Sequence, residues 1–120
     1  MSIDTSVPGY PELNDWPTAP APPVHISNCG RLRDSGPQGG TYYVDLVDSR
    51  GRLYPFFFDR FLGRLCYGSY ESQSDAAFLR RGSRIEQEAI SLIEVLAAKK
   101  VQDPELLKRI RHAKTWVSYA

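Results

Sequence analysis

The chain has 120 residues, of which 42% are apolar, and it carries 15 basic against 14 acidic side chains. This length suits one domain with a modest core, and no run of the sequence approaches the roughly 20 apolar residues of a membrane span, which excludes an integral membrane protein. Two cysteines exclude a disulfide-dense scaffold, and a net charge of +1 argues against a general polyanion binder.

The beginning of the chain differs in composition from the rest. Its first thirty residues contain six of the nine prolines and three acids, but no Lys or Arg. Proline fixes φ and removes a backbone donor, so such a stretch favours neither a helix interior nor a sheet ladder. We therefore predict a flexible, acidic, Pro-rich tail over 1–23 and a single α+β domain over 24–120. The PxxP spacings of this tail are typical of a solvated linker, although Tyr10 and Trp16 leave a partner-binding role open.

The sequence favours a reducing compartment. The sequence does not show a basic leader followed by an apolar run, the pattern that indicates export. We therefore expect a cytoplasmic protein in which Cys29 and Cys66 are thiols. A single Cys29–Cys66 bridge is the alternative in an oxidising compartment.

The clearest predicted element is a central hairpin. Residues 41–47 and 53–58 are rich in β formers, and Asp48 and Gly51 occupy the first and fourth positions of a type I turn with a left-handed glycine. Pairing Asp48 with Arg52 fixes the register, whereas a two-residue loop would exchange the faces of the second strand. Because Pro55 lacks a donor, we predict that this strand lies at an edge or pairs imperfectly there.

The flanking segments are less distinct. Residues 24–29 form a predicted first strand, and 34–40 a loop. Residues 59–67 fit a short helix capped by Asp59, which we prefer, or a third strand at 65–67. Residues 74–82 fit a short helix ending at Gly82.

Two longer helices close the chain. Ser83 and Glu86 form a capping box, which is followed by apolar residues at helical spacing to about Lys99. Asp103 and Pro104 begin another helix as cap and first-turn proline. We therefore predict an α+β fold with a small antiparallel sheet, whose central hairpin is about 41–58, and two or three C-terminal helices packed on one face.

A basic and aromatic constellation surrounds the hairpin. One predicted face of the sheet forms the core under the helices, and the other face remains apolar. Because the helices are few, we expect this second face to stay partly uncovered and to bind a partner. The predicted partner-binding residues are Tyr43, Leu53, Phe57, Arg50, Arg52 and Arg60.

Catalytic and metal sites have weaker support in the sequence. Cys66, or Asp45 with Asp59, are the best candidates for catalysis, but no spacing brings a base to the thiol, and Asp59 has a simpler role as a cap. His25 and Cys29 form one acceptable metal-ligand pair, whereas a zinc site needs two. We predict no catalytic residue, no metal and no cofactor.

The sequence thus favours a non-enzymatic interaction module that binds a protein partner or a second copy of itself through an aromatic sheet face. The second hypothesis is a single-stranded nucleic-acid-binding domain, in which the aromatics stack on bases and the arginines hold phosphates. We expect no membrane partner.

Overall fold

The computed structural model describes residues 11–31, 41–59, 62–69, 75–100 and 103–118. Eight elements follow one another in these ranges. The strands are β1 Glu12–Leu13, β2 His25–Arg31, β3 Tyr42–Val47, β4 Leu53–Phe58, β5 Leu65–Tyr67 and β6 Ala77–Leu79. The helices are α1 Arg84–Lys100 and α2 Pro104–Ser118.

The six strands form one sheet in the order β1-β6-β5-β4-β3-β2. From β2 to β6 each strand pairs antiparallel with the next along the chain. The short β1 pairs parallel with β6, so the sheet is mixed. The α+β class is confirmed, while the predicted small antiparallel sheet is larger than expected and the described helices number two.

The central hairpin has the predicted register. Val47 pairs with Leu53 and Tyr42 with Phe58, as the three-residue loop requires. Gly51 adopts a φ of 83°, which is the left-handed conformation that the turn demands of its glycine. The strand that contains Pro55 lies inside the sheet, between β3 and β5, rather than at an edge. It does pair imperfectly at Pro55, the predicted alternative, because the ladder with β5 runs only from Phe56 to Phe58. The Pro55 carbonyl instead accepts a hydrogen bond from Gly68 N–H at 2.8 Å.

Both helices pack on one side of the sheet, which we call the helix side. Their caps match the predictions. The Ser83 hydroxyl accepts from Glu86 N–H at 3.3 Å, and Asp103 Oδ1 accepts from Glu105 N–H at 3.0 Å. The main core lies between sheet and helices, and its largest fully buried members are Tyr42, Tyr54, Phe56, Phe58, Leu46, Leu65, Leu79, Ile85, Ile93, Leu106 and Ile110.

Two predicted short helices are strands instead. Residues 65–67 form β5, so the alternative strand is correct there and the preferred helix over 59–67, of which residues 60 and 61 lie outside the described residues, is wrong at its C-terminal end. Within the predicted helix over 74–82, of which residue 74 lies outside the described residues, 77–79 form β6. Every residue of β6 is buried, and a three-residue run enclosed on both faces shows no helical period. Pairing with β5 therefore decides its structure.

The predicted flexible tail is wrong for residues 11–23, whereas residues 1–10 lie outside the described residues. Pro11 and Leu13 carbonyls accept from Phe78 and Arg80 N–H groups, which joins this segment to β6. Trp16 then enters the main core, 9% exposed. The prolines of residues 11–23 are compatible with this path because a two-residue edge strand needs few backbone N–H donors.

Trp16 anchors this N-terminal segment. Its ring stands edge-on to Tyr54 and Phe56, with centroids 5.8 and 6.0 Å away. Its Nε1–H donates to Glu88 Oε1 on α1 at 2.8 Å. The indole thus fills the space between β4 and the first turns of α1. Neither α1 nor α2 combines the length and the apolarity that crossing a bilayer would require.

Candidate protein-interaction surface

The side of the sheet opposite the helices, which we call the outer face, carries the candidate site. Alternation along a strand sends successive side chains to opposite sides. Because the even-numbered residues of β3 and β4 lie in the main core, the odd-numbered ones lie on the outer face. These outer residues are Tyr43, Asp45, Val47, Leu53, Pro55 and Phe57. The register with β2 adds His25, Asn28 and Gly30.

One half of the outer face is buried. Phe57 is 1% exposed and packs with Cys66, Ala76 and Phe78 in a second apolar cluster. The Arg64 guanidinium carbon lies 4.6 Å from the centre of the Phe78 ring. A buried side chain offers no surface to a partner, so Phe57 does not belong to the docking site predicted for it.

The other half of the outer face is more open, and we call its four apolar residues the exposed patch: Tyr43, Val47, Leu53 and Pro55. Asp45 lies among them, and Tyr43 borders the buried half, because it pairs with Phe57 and packs against the second apolar cluster. The Leu53 side chain is 51% exposed, and the other three are partly buried. The Tyr43 ring lies against Gly30 of β2, 3.5 Å from the position that a Cβ there would take. Two predicted site residues, Tyr43 and Leu53, therefore lie on the outer face, with Leu53 at its open end and Tyr43 beside the buried half.

The arginines predicted to rim this surface lie elsewhere. Arg50 turns to the helix side, where its guanidinium contacts Asp48 Oδ2 at 2.9 Å and donates to the Ala19 carbonyl at 2.9 Å. Arg52 precedes Leu53 and so shares the side of Tyr54. Its charge there opposes the burial that raises the pKa of Tyr67. Arg60 lies outside the described residues.

Asp48 explains why Arg50 is held. Its Oδ1 accepts from the N–H groups of Arg50 and Arg52, which closes the predicted turn. Its Oδ2 accepts from Ala21 N–H at 3.1 Å and from the Tyr54 hydroxyl at 3.3 Å. Burial alone would raise the pKa of Asp48, but the hydrogen bonds from Ala21, Arg52 and Arg50 together lower it well below its usual range.

Two of the candidate catalytic groups, Cys66 and Asp59, are buried, and the third, Asp45, lies in a strand. Burial raises the pKa of the Cys66 thiol far above its ordinary value, which favours the unreactive thiol over the thiolate. Asp59 is 3% exposed, and its Oδ2 accepts from Leu62 N–H at 2.6 Å inside the β4–β5 loop. Asp45 lies in the middle of β3 opposite Pro55. One carboxylate therefore lies in a loop and the other in the middle of a strand.

The cysteines and histidines do not converge on one site. Cys29 packs against the main core on the helix side, whereas Cys66 belongs to the cluster on the outer face. The sheet separates the two thiols, and both are free. His25 lies on the outer face, opposite in direction to Cys29, because a bulge near Ser27 shifts the alternation of β2.

A groove, which the sequence did not predict, lies between the N-terminal segment and α1. It has a volume of about 620 Å³ and is lined by Trp16, Pro20, Gln87, Glu88, Ser91, Leu92 and Val95. Val95 is 47% exposed, so it is an aliphatic side chain on the helix side that is about as exposed as Leu53 on the outer face. The isolated tryptophan in a proline-rich segment is the signal that indicates a docked segment here.

No protein-family model, curated protein or solved structure matches this chain.

Proposed function

We propose that this chain is a non-enzymatic protein-interaction module whose partner docks on the exposed patch of the outer face. The observation that carries the proposal is the 51% exposure of Leu53 beside the partly buried Val47 and Pro55, with Tyr43 further along the same face. Apolar groups gathered on one open sheet face are typical of a surface that a protein covers.

The energetics of such docking are favourable but modest. Burying the exposed half of the Leu53 side chain is worth about 1 kcal/mol. Tyr43 adds apolar ring area together with a hydroxyl that suits the polar rim of an interface. A patch of this size therefore supports a transient complex rather than an obligate one.

The chemistry of the patch supports a protein more than a nucleic acid. A single-stranded nucleic acid would need cations beside the stacking rings to hold its phosphates. Of the predicted arginines that the structure describes, Arg50 already binds Asp48 and the Ala19 carbonyl, and Arg52 lies on the helix side. Salt separates these hypotheses, because phosphate binding weakens steeply with salt whereas apolar docking changes little.

Two matched substitutions test the proposal. Leu53→Lys places a charge in the patch, and Val95→Lys places the same charge at a similarly exposed aliphatic residue on the helix side. Both side chains are about half exposed, so each variant should keep its stability within about 0.5 kcal/mol of the wild type.

The readout is the set of proteins retained by each form in quantitative affinity purification from cells that express the chain. We expect at least one protein that the wild type and Val95→Lys retain equally and that Leu53→Lys loses about tenfold. Equal retention by both variants would contradict the proposal. Salt-sensitive retention of a labelled oligonucleotide, lost in Leu53→Lys, would favour the nucleic-acid hypothesis instead.

A further inference from the structure

Residues 17–23, which we call the proline loop, lie between Trp16 and β2. The loop contains four prolines among its seven residues and has no charged side chain. It lies outside every strand and helix of the fold. Four of its residues are exposed: Pro17, Ala19, Pro22 and Pro23. The loop therefore presents prolines, rather than charges, to the solvent.

Two anchors fix the proline loop to the folded domain. At its start, Trp16 buries its ring in the main core and donates to Glu88 of α1. Further along, Ala21 N–H donates to Asp48 Oδ2 at 3.1 Å, and the Ala21 carbonyl accepts from Ser49 N–H at 2.9 Å. Only four residues separate the two anchors, so the chain between them has few alternative paths.

The backbone between the anchors keeps most of its acceptors available. Arg50 of the hairpin turn donates to the Ala19 carbonyl at 2.9 Å, which directs this carbonyl toward the folded domain. Among the described residues, no group donates to the carbonyls of Pro17, Thr18 and Pro20. These three carbonyls lie along the chain from the exposed prolines and are free to accept hydrogen bonds.

Prolines beside free carbonyls form the combination that proline-recognition domains bind. Each proline fixes φ at about −65°, close to the value of a polyproline II helix, which lowers the entropy lost on binding. The domains that bind such segments use a groove lined by aromatic side chains. The prolines pack against the aromatic rings, and tyrosine hydroxyl or indole N–H groups of the groove donate to the carbonyls of the segment.

We propose that the proline loop is a docking site for a partner protein that carries an aromatic-lined, proline-recognition groove. Pro17 and Pro20 have the PxxP spacing that such grooves accommodate. Thr18 and Ala19 between them are small and uncharged, so the groove that fits them needs no acidic side chain. The proposal does not depend on the proposed function, because the proline loop shares no residue with the exposed patch.

The fold gives the loop an advantage over a free peptide of the same sequence. A free peptide must be ordered when it binds, whereas contacts from Trp16, Ala21 and Arg50 already order the loop. Ordering a ligand in advance lowers the free-energy cost of binding. The full chain should therefore bind the groove more tightly than the peptide does.

Two matched substitutions of exposed prolines test the docking site. Pro17→Ala changes the proline loop, whereas Pro104→Ala changes the first residue of α2. Both side chains are exposed, so each variant should keep the thermal unfolding midpoint of the wild type. The probe is an array of purified proline-recognition domains, SH3 and WW domains among them, to which the labelled full chain and its variants are added.

We expect at least one domain to bind the wild type and Pro104→Ala equally, with a Kd of about 1 to 100 µM. The same domain should bind Pro17→Ala about tenfold more weakly, because one proline of the PxxP pair is lost. A peptide of residues 15–24 should bind it about fivefold more weakly than the full chain.

Three outcomes overturn the proposal. The first is a full chain that binds no domain of the array, or that binds equally well as Pro17→Ala. The second is a peptide that binds as tightly as the full chain, since the fold then does not present the loop. The third is binding that Leu53→Lys abolishes and Pro17→Ala preserves, because the domain then docks on the exposed patch.

Discussion

Asp48 shows how one residue joins a predictable local role to an unpredictable distant one. Its place at the head of a four-residue turn predicts that its carboxylate closes that turn, and Oδ1 does so. The contacts of Oδ2 with Ala21 and Tyr54 cross 27 and 6 residues of chain. No spacing pattern in the sequence indicates the first of these, because the position of Ala21 depends on where Trp16 docks.

Asp48→Asn should lower the midpoint of thermal unfolding by several degrees at pH 7. The amide nitrogen cannot accept the hydrogen bonds that Oδ2 takes from Ala21, Arg50 and Tyr54. Because the folded pKa of Asp48 lies below its unfolded value, the stabilisation is present above about pH 4 and is lost as the pH falls toward the folded value. Thermal unfolding from pH 7 to pH 3 should therefore bring the wild type toward the variant. A gap that stays constant with pH would contradict this role.

Glu86 gives the opposite dependence on pH. Burial raises its pKa, and the hydrogen bond from Gly82 N–H, 2.8 Å from Oε1, opposes that effect only in part. An acid with a raised folded pKa contributes most at low pH, and that contribution disappears as the pH rises through the folded pKa. We expect Glu86→Gln to be at least as stable as the wild type at pH 7, because its carbonyl keeps the Gly82 bond without a buried charge.

Glu86→Ala is the matched control for that prediction. It removes the acceptor of Gly82 N–H and should cost about 1 kcal/mol in urea unfolding at pH 7. Equal destabilisation by Gln and Ala would show that the Glu86 charge itself stabilises the fold.

At the scale of elements, the sequence predicts what its local pattern determines. The hairpin from Tyr42 to Phe58 has a turn signal and two alternating strands, so its register and faces were predictable and are confirmed. Strands β5 and β6 have three residues each, too short for any period to show. Their structure depends on neighbours far along the chain, such as the pairing of Cys66 with Phe78.

In the N-terminal segment, the burial of one side chain determines the structure more than the composition does. Prolines and acids predict a flexible tail, yet residues 11–23 follow β6 and then the hairpin turn because Trp16 buries its ring. Burying the Trp16 ring stabilises the fold by more than the conformational entropy lost in ordering the few residues around it, since proline has already reduced the freedom of those residues.

Trp16→Ala should destabilise the full chain by about 3 kcal/mol, because it removes a large ring from the main core. Trp16→Phe keeps the contacts with Tyr54 and Phe56 and loses the bond to Glu88, so its cost should be about 1 kcal/mol. Chemical unfolding of both variants measures the difference. A Trp16→Ala variant as stable as the wild type would contradict the docked segment.

At the level of the whole molecule, two helices cover one side of a six-stranded sheet, so the opposite side is where we propose that a partner binds. The sequence predicts correctly that helices cover one face. It does not predict that one half of the outer face is buried and the other half is exposed. Strand alternation places Leu53 and Phe57 on the same side and cannot tell them apart. The division arises from β6 and Ala76, whose residues enclose Phe57 and leave Leu53 open.

Photo-crosslinking from position 53 shows whether a protein occupies the outer face. A light-activated phenylalanine analogue replaces Leu53 in one form of the chain and Val95 in another, and both are irradiated in the cells that express them. We expect a discrete covalent adduct with another protein from position 53 and none of that mass from position 95. Adducts of equal yield from both positions, or none from position 53, would contradict a partner on the outer face.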